Sequence, residues 1–290
     1  SLVFASAVKA LTPMLGKPRI DPEGLCQVFT FWNTVAPRTI FKDIYQVRPG
    51  ECIIHDRGGR KSFLYWDIGF PPAGMHDVTN RDEAMEGIRE TLGEATAIRL
   101  RADVPVGAYL SGGLDSSILT ALVKRHTPVM ETFSVSFQDP AYDESAFQQA
   151  MGQRLGTRHH VAKVSYDDIS RIFPEIIRHT EIPVLRTAPA PMYMLSRLAQ
   201  DHGIKVVLTG EGSDEVFGGY DIFKEAKIRR FWSRIPASKY RPRLLFKLYP
   251  YSPVQMKRSG QLLISFYRTD LMETDHFGYS HLPTWRNTSS

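Results

Sequence analysis

The run Ser111-Gly112-Gly113-Leu114-Asp115-Ser116-Ser117 places three hydroxyls and a carboxylate around a glycine pair. It lies between a short apolar segment, Val104 to Leu110, and a helical stretch from Ser116 to Lys124. Adjacent glycines let the backbone curl so that successive N–H groups converge on one point, and a helix start adds the positive end of its dipole. With the hydroxyls of Ser111, Ser116 and Ser117 as further donors, the pattern suits phosphate oxygens. A carboxylate inside such a cradle repels its ligand unless a divalent cation lies between them, so Asp115 implies Mg2+. A junction that used Asp and Ser only as helix caps would need fewer of these groups. The loop is not the P-loop that ends in Gly-Lys-Ser/Thr, and that motif is absent from the chain. A second glycine-rich loop, Gly210 to Gly219, follows the apolar segment Lys205 to Thr209.

The elements that must carry these loops alternate. From residue 81 a helical stretch to Arg101 leads to the strand before Ser111, the helix after it, and a strand from Thr132 to Phe137. A helix from Ser145 to Leu155, a strand from His160 to Val164, helices over 166–179 and 191–202 and the strand Lys205 to Thr209 follow. Strands alternating with helices predict an α/β fold, a parallel sheet flanked by helices on both faces. The first 67 residues differ, reading as short apolar pieces broken by turns. Glu51 to His55 and Lys61 to Trp66, joined through Gly58-Gly59, predict a β-hairpin at the edge of a sheet-rich domain. Residues 68–80, with Pro71-Pro72-Ala73-Gly74, have linker composition.

Composition narrows the classes further. With 42% hydrophobic and 23% charged residues in 290, the chain is globular rather than disordered or collagen-like. No apolar run approaches the ~18 residues of a membrane span, and the N-terminus lacks the pattern of a signal peptide. Two cysteines, Cys26 and Cys52, suit a reducing, cytoplasmic setting and make neither a zinc nor a disulfide pattern. Residues 221–290 hold 13 Lys and Arg against 5 Asp and Glu. No nucleic-acid-binding motif accompanies that charge, so a helical segment facing an acidic surface is the expectation.

The first loop resembles the pyrophosphate loop of the ATP pyrophosphatase superfamily (adenine nucleotide alpha hydrolase-like). Thr209-Gly210-Glu211-Gly212-Ser213-Asp214-Glu215-Val216-Phe217-Gly218-Gly219-Tyr220 narrows the match, being similar to the second signature of glutamine-dependent asparagine synthetases. Val104-Pro105-Val106-Gly107, Tyr142-Asp143-Glu144 and Pro191-Met192-Tyr193 fit the same family. Phe4-Ala5-Ser6, Lys9-Ala10-Leu11, Pro49-Gly50 and Tyr65-Trp66-Asp67 resemble the end of its β-rich, N-terminal-nucleophile glutaminase domain. The resemblance implies residues 1–67 as a glutaminase remnant, 68–80 as a linker and 81–290 as a C-terminally incomplete synthetase domain.

By that resemblance Ser111, Gly112, Gly113, Asp115, Ser116 and Ser117 hold the ATP phosphates and then pyrophosphate. The family's adenosine contacts fall on Leu110, Val135, Thr209 and Gly210, with Thr209 standing for the commoner Ser. Asp214 becomes the second magnesium carboxylate beside Asp115, and Glu211 the residue that bears on formation of the aspartyl-adenylate. The implied reaction turns aspartate into asparagine through β-aspartyl-AMP, with ATP and Mg2+. Ammonia comes from glutamine, cleaved by an N-terminal Cys, in a full-length protein that leaves room for a homodimer. Ser1 is not that Cys, so the chain reads as an internal fragment without glutaminase activity. Alternatives are an amidotransferase acting on another carboxylate, such as a cell-surface polysaccharide precursor or a β-lactam-type ring former, and an inactive binding module. Neither a membrane nor a nucleic acid is an expected partner. His159 and His160, adjacent on a strand, point to opposite faces and are expected to be structural. Cys26, Cys52, Trp32, Trp66 and the C-terminal aromatics are expected to pack. Arg178 and Arg186 suit either a substrate carboxylate or a surface ion pair.

Overall fold

The computed structural model describes residues 2–72, 74–75, 77–140, 142–248 and 260–288. The chain divides into two compact units, one of residues 1–24 and 35–210, the other of residues 25–34 and 211–290.

The first unit opens with a 3-10 turn, Val8–Ala10, and a short helix α1, Thr12–Leu15. Helix α2, Pro22–Phe31, follows, and from Leu25 on it belongs to the second unit; the turn signals around it conceal it in the sequence. The hairpin pairs β1, Glu51–Asp56, with β2, Gly59–Leu64, in the register Glu51↔Leu64 to Asp56↔Gly59. Trp66 thus lies beyond the strand expected to contain it. Gly58 donates its N–H to Asp56 Oδ1 at 2.7 Å and Gly59 takes φ +113°, a value glycine tolerates. Within 68–80 the described residues form no helix or strand; Ala73, part of the linker reading, lies outside them.

The rest of this unit is the alternating fold. In order come α3 (Arg81–Arg99), β3 (Val106–Tyr109), α4 (Leu114–His126) and β4 (Glu131–Phe137). Then follow α5 (Ser145–Leu155), β5 (Arg158–Val164), α6 (Tyr166–Thr180), α7 (Pro189–Asp201) and β6 (Val206–Leu208). The strands form a parallel sheet in the order β5-β4-β3-β6. Ala108 packs with Val123 of α4 and Met130 on one face, while Phe133 packs with Leu195 and Ala199 of α7 and with Ile204 on the other. Gly107 permits that packing, since a Cβ there would stand 3.0 Å from Phe133 Cε2.

The strand order creates a crevice. The chain moves from β3 outward to β4 and β5, then returns to place β6 on the other side of β3. Open α/β sheets bind ligands beyond the carboxyl ends of strands at such a reversal. The loops after β3 and β6 are the two expected from the sequence to do chemistry.

In the second unit α8 (Ser213–Phe217) and α9 (Asp221–Ser233) precede a 3-10 segment, Arg241–Lys247, and helices Gly260–Arg268 and Leu282–Thr288. Trp232, Leu245, Tyr267 and Leu271 form its core. Arg229 is 1% exposed and donates to the carbonyls of Tyr267 (3.0 Å), Thr269 (2.7 Å) and Tyr279. Its guanidinium also lies 4.1 Å from the Tyr279 ring centre. Arg241 lies over Phe231 at 4.1 Å and donates to its carbonyl. Part of the basic character of 221–290 is therefore structural, used on carbonyls and rings.

Two packing expectations fail. Trp32 and Trp66 are 48% and 60% exposed, and Cys26 is exposed while Cys52 is half-buried. An apolar type at a turn-rich position gives no periodicity from which to tell a core site from a surface one. Of the C-terminal aromatics Trp232, Tyr267 and Tyr279 are buried as expected, while Phe277 and Tyr240 are exposed.

Candidate functional site

Helix α4 begins without a side-chain cap. Its N-cap is Gly113, extended at φ −70°, with no side-chain hydrogen bond. Asn80 caps α3, and Ser165 with Asp168 makes a capping box on α6, while α5, α7 and α9 share the uncapped start of α4; what sets α4 apart is the glycine turn before it. The first-turn N–H groups of a helix have no intrahelical acceptor, so α4 presents open donors together with its dipole.

The loop before it is tightly built. Gly112 takes φ +83°, and a Cβ there would meet Phe147 Cβ at 2.8 Å and Gln148 N at 3.0 Å. Both conformation and space therefore require glycine. Gly113 is freer, since a Cβ would meet only Ser111 Oγ, at 3.3 Å. Ser111 and Ser116 share a hydroxyl–hydroxyl bond of 2.9 Å. Ser116 Oγ accepts the Ser111 N–H and donates to the Gly113 carbonyl, each at 3.2 Å, and Ser111 Oγ accepts the Gly113 N–H. The serines thus occupy loop groups that would otherwise face solvent. Ser116 and Ser117 are buried, whereas Asp115 is half-exposed.

Leu110 is fully buried; its N–H donates to the Phe133 carbonyl at 2.9 Å and its own carbonyl accepts from the Ser134 hydroxyl. Val135 is half-buried at the end of β4, its carbonyl taken by Gln148 Nε2 at 2.9 Å. Thr209 and Gly210 leave β6 beside α4. A Cβ on Gly210 would come within 3.1 Å of Asp115 Cβ and Ser116 N. The structure therefore brings Leu110, Ser111 to Ser117, Val135, Thr209 and Gly210 to one edge of one sheet.

Glu211 and Asp214 belong to the second unit. Gly212 takes φ +92° ahead of α8, Glu211 is exposed and Asp214 is half-buried. The Asp214 carboxylate lies so close to Gly219 that a Cβ there would fall 1.9 Å from Oδ1, which explains one glycine of the second loop. Tyr220 donates to Glu215 Oε1 at 3.2 Å. That bond, with burial and the nearby charges of Glu215, Asp214 and Glu211, raises its phenol above the ordinary value.

Among the described residues no group of three or more His, Cys, Asp or Glu gathers to hold a metal. A magnesium ion bound through phosphates needs only one or two carboxylates and keeps several waters. The Asp115 carboxylate, beside open helix donors, fits that hard-oxygen chemistry.

The remaining candidates are structural. His159 Nδ1 lies 3.0 Å from Thr132 Oγ1, and burial, then the neighbouring His160, lowers its pKa. His160 faces the other way, bonding Glu131 at 2.6 Å and stacking on Phe133. Burial pushes the Glu131 carboxyl up, but bonds from His160 and Arg158 outweigh it and hold it below its ordinary value. Arg178 pairs with Glu175 at 3.2 Å. Sequence reasoning missed Phe147, Gln148 and Tyr220. A glutamine on the inward side of α5 was the available signal for the second.

Comparison with known proteins agrees with this geometry. The asparagine synthase family model matches residues 87–287. Over 235 residues (81% of the chain, 36% of the relative) the chain is 31% identical to asparagine synthetase [glutamine-hydrolyzing] 1 of Bacillus subtilis. It is 36% identical over 206 residues to amidase chyE of Penicillium rubens, covering 66% of the chain and 31% of the relative. It is 37% identical over 202 residues to amidase chry2 of Gibberella zeae, covering 64% and 30%. The chain spans about a third of the length of these relatives. With one family model running from within α3 through both glycine-rich loops to the last helix, the chain belongs to the asparagine synthase family.

Proposed function

We propose that this chain activates a carboxylate with MgATP and passes the acyl group to ammonia. The observation that carries the reading is the uncapped start of α4 behind the Gly112 turn, at the crevice between β3 and β6. A carboxylate oxygen attacks the α-phosphorus of ATP, the bond to the β-phosphate oxygen breaks, and acyl-AMP and pyrophosphate result. Ammonia then attacks the acyl carbon, a proton is lost, and AMP leaves with the electron pair of the acyl–oxygen bond. Direct attack by ammonia on a carboxylate would have to expel oxide, which is why activation comes first.

Loop donors and the α4 dipole offset charge on the departing pyrophosphate. Ser111 and Ser116 exchange their mutual bonds for bonds to phosphate, and Ser117 adds its hydroxyl. Asp115 would hold Mg2+, which neutralises phosphate charge. Leu110, Val135, Thr209 and Gly210 receive the adenosine, and Glu211 bears on adenylate formation. Aspartate is the proposed acceptor and asparagine the product, with ammonia derived from glutamine in the longer protein. In this reading residues 1–67 close a glutaminase domain, 68–80 link it and 81–290 belong to the synthetase domain, in a cytoplasmic enzyme. No described helix is long and apolar enough to cross a membrane.

The two relatives named amidases, at 36% and 37% identity, support a second reading in which another carboxylate is amidated. One assay separates the readings. The chain is incubated with ATP, Mg2+, ammonium and either aspartate or a panel of other carboxylic acids, and AMP is measured. Aspartate-dependent AMP supports the first; AMP only with another acid supports the second. No AMP and no ATP binding refutes both.

A further inference from the structure

Gln148 is 3% exposed on α5, yet only half of its carboxamide is satisfied. Nε2 donates to the Val135 carbonyl at 2.9 Å, while Oε1 is buried with no hydrogen-bond partner among the described residues. A buried acceptor without a donor destabilises a fold, so the carboxamide satisfies Val135 with one end and carries an uncompensated oxygen at the other.

The place of the carboxamide supplies the reason. In the β3–β4 ladder the Phe133 carbonyl accepts the Leu110 N–H. The Val135 carbonyl, two residues on, points to the same side, where β3 has already turned into the phosphate loop. Gln148 provides the donor that β3 no longer offers. Its own backbone N also stands behind Gly112. The side chain thus occupies the corner between the end of β4 and the phosphate loop, on the wall where the adenosine is proposed to lie.

We propose that Gln148 is a positioning residue of the nucleotide site, holding the Val135 carbonyl and the end of β4 in the arrangement that receives the nucleoside. This rests on the nucleotide reading above. It acts through Val135 and leaves the phosphate cradle alone, because the wall behind Gly112 is Phe147 Cβ and backbone, which a change of the Gln148 side chain retains.

Two variants of the chain and two probes test it. Gln148→Met removes both polar atoms at nearly constant length, and Gln148→Ala removes them and leaves a cavity. The dissociation constants of AMP and of inorganic pyrophosphate with Mg2+ are measured by calorimetry, and Tm by scanning. In both variants AMP affinity is expected to fall about three- to tenfold, the range for one neutral hydrogen bond, with pyrophosphate within about twofold. Tm is expected to change little in the Met variant, which relieves Oε1 but leaves the Val135 carbonyl without its donor, and to fall in the Ala variant. Affinity then fails to follow stability, which a purely structural role does not allow. Unchanged AMP affinity in both variants overturns the proposal. So does a loss of AMP and pyrophosphate binding together in proportion to Tm. If the unaltered chain binds neither probe, the nucleotide reading itself fails and this inference falls with it.

Discussion

Replacing Gly112 by alanine should damage the fold, while the same change at Gly113 should leave it nearly intact. At Gly112 two penalties combine. Holding an L-residue at φ +83° costs about 1–2 kcal/mol. The new Cβ would also lie 2.8 Å from Phe147 Cβ, well inside the ~3.5–4.0 Å of an ordinary carbon contact. Neither atom is the far end of a flexible side chain, so α5 or the loop must move, at a further cost of about 1–3 kcal/mol. The total of about 2–5 kcal/mol corresponds to a Tm lower by at least ~4 °C in a chain of this size. At Gly113 the backbone is ordinary, and the nearest atom is a rotatable hydroxyl at 3.3 Å. Alanine as N-cap in place of glycine costs about 1 kcal/mol at most. Thermal scans of both variants, with ATP titrations of the folded Gly113→Ala and Gly113→Val chains, make the comparison. If Gly112→Ala melts within ~2 °C of the unaltered chain, the steric account of this loop is wrong.

Asp115→Asn should weaken ATP binding in the presence of Mg2+ and leave metal-free binding nearly unchanged; calorimetry with and without the metal shows whether it does. Arg229→Met should cost about 3 kcal/mol, because two buried carbonyls and a part-buried one lose their donor, and urea titration measures the loss. Glu131 titrates below its ordinary 4.5 in the folded chain, so its contribution is complete above pH 4.5 and is lost as the pH falls through the lower folded value. His159 is also lowered from 6.5, so its contribution is complete above pH 6.5 and disappears as the pH falls through its folded value. The acid limb of the stability curve should therefore flatten in Glu131→Gln and, at its upper end, in His159→Gln.

The alternating helices and strands were legible where local signals bound them, as with Ser165 before α6 and Gly156 after α5. The helix Ser145–Leu155 has the bounds expected for it, while the strand before Ser111 is shorter, Val106–Tyr109. Proline and the loop residues trim that strand at both ends. The glycine turn between β3 and α4 was legible from its composition, since a glycine pair beside a helix start marks a tight turn. Helix α2 was not, because Asp21-Pro22 reads equally as a turn or as a helix entry. The partnership of Gln148 with Val135 was also hidden, since no local pattern reports which side chain reaches a carbonyl 13 positions away. Strand order was out of reach for the same reason: it is a property of the returning chain.

That order has a kinetic consequence. The β3–β4 and β4–β5 pairings join segments about one helix apart, Ala108↔Thr132 and Glu131↔Arg158, whereas β3 meets β6 through Val106↔Val206. Closing the longer span carries the larger entropy loss, for a strand of only three residues. Assembly of the sheet is thus favoured in the sequence 3, 4, 5 and then 6. The last pairing to form is also the one that flanks the crevice. That pairing is the one whose opening is expected to be easiest, and amide exchange at Val206 to Leu208 is where it can be timed.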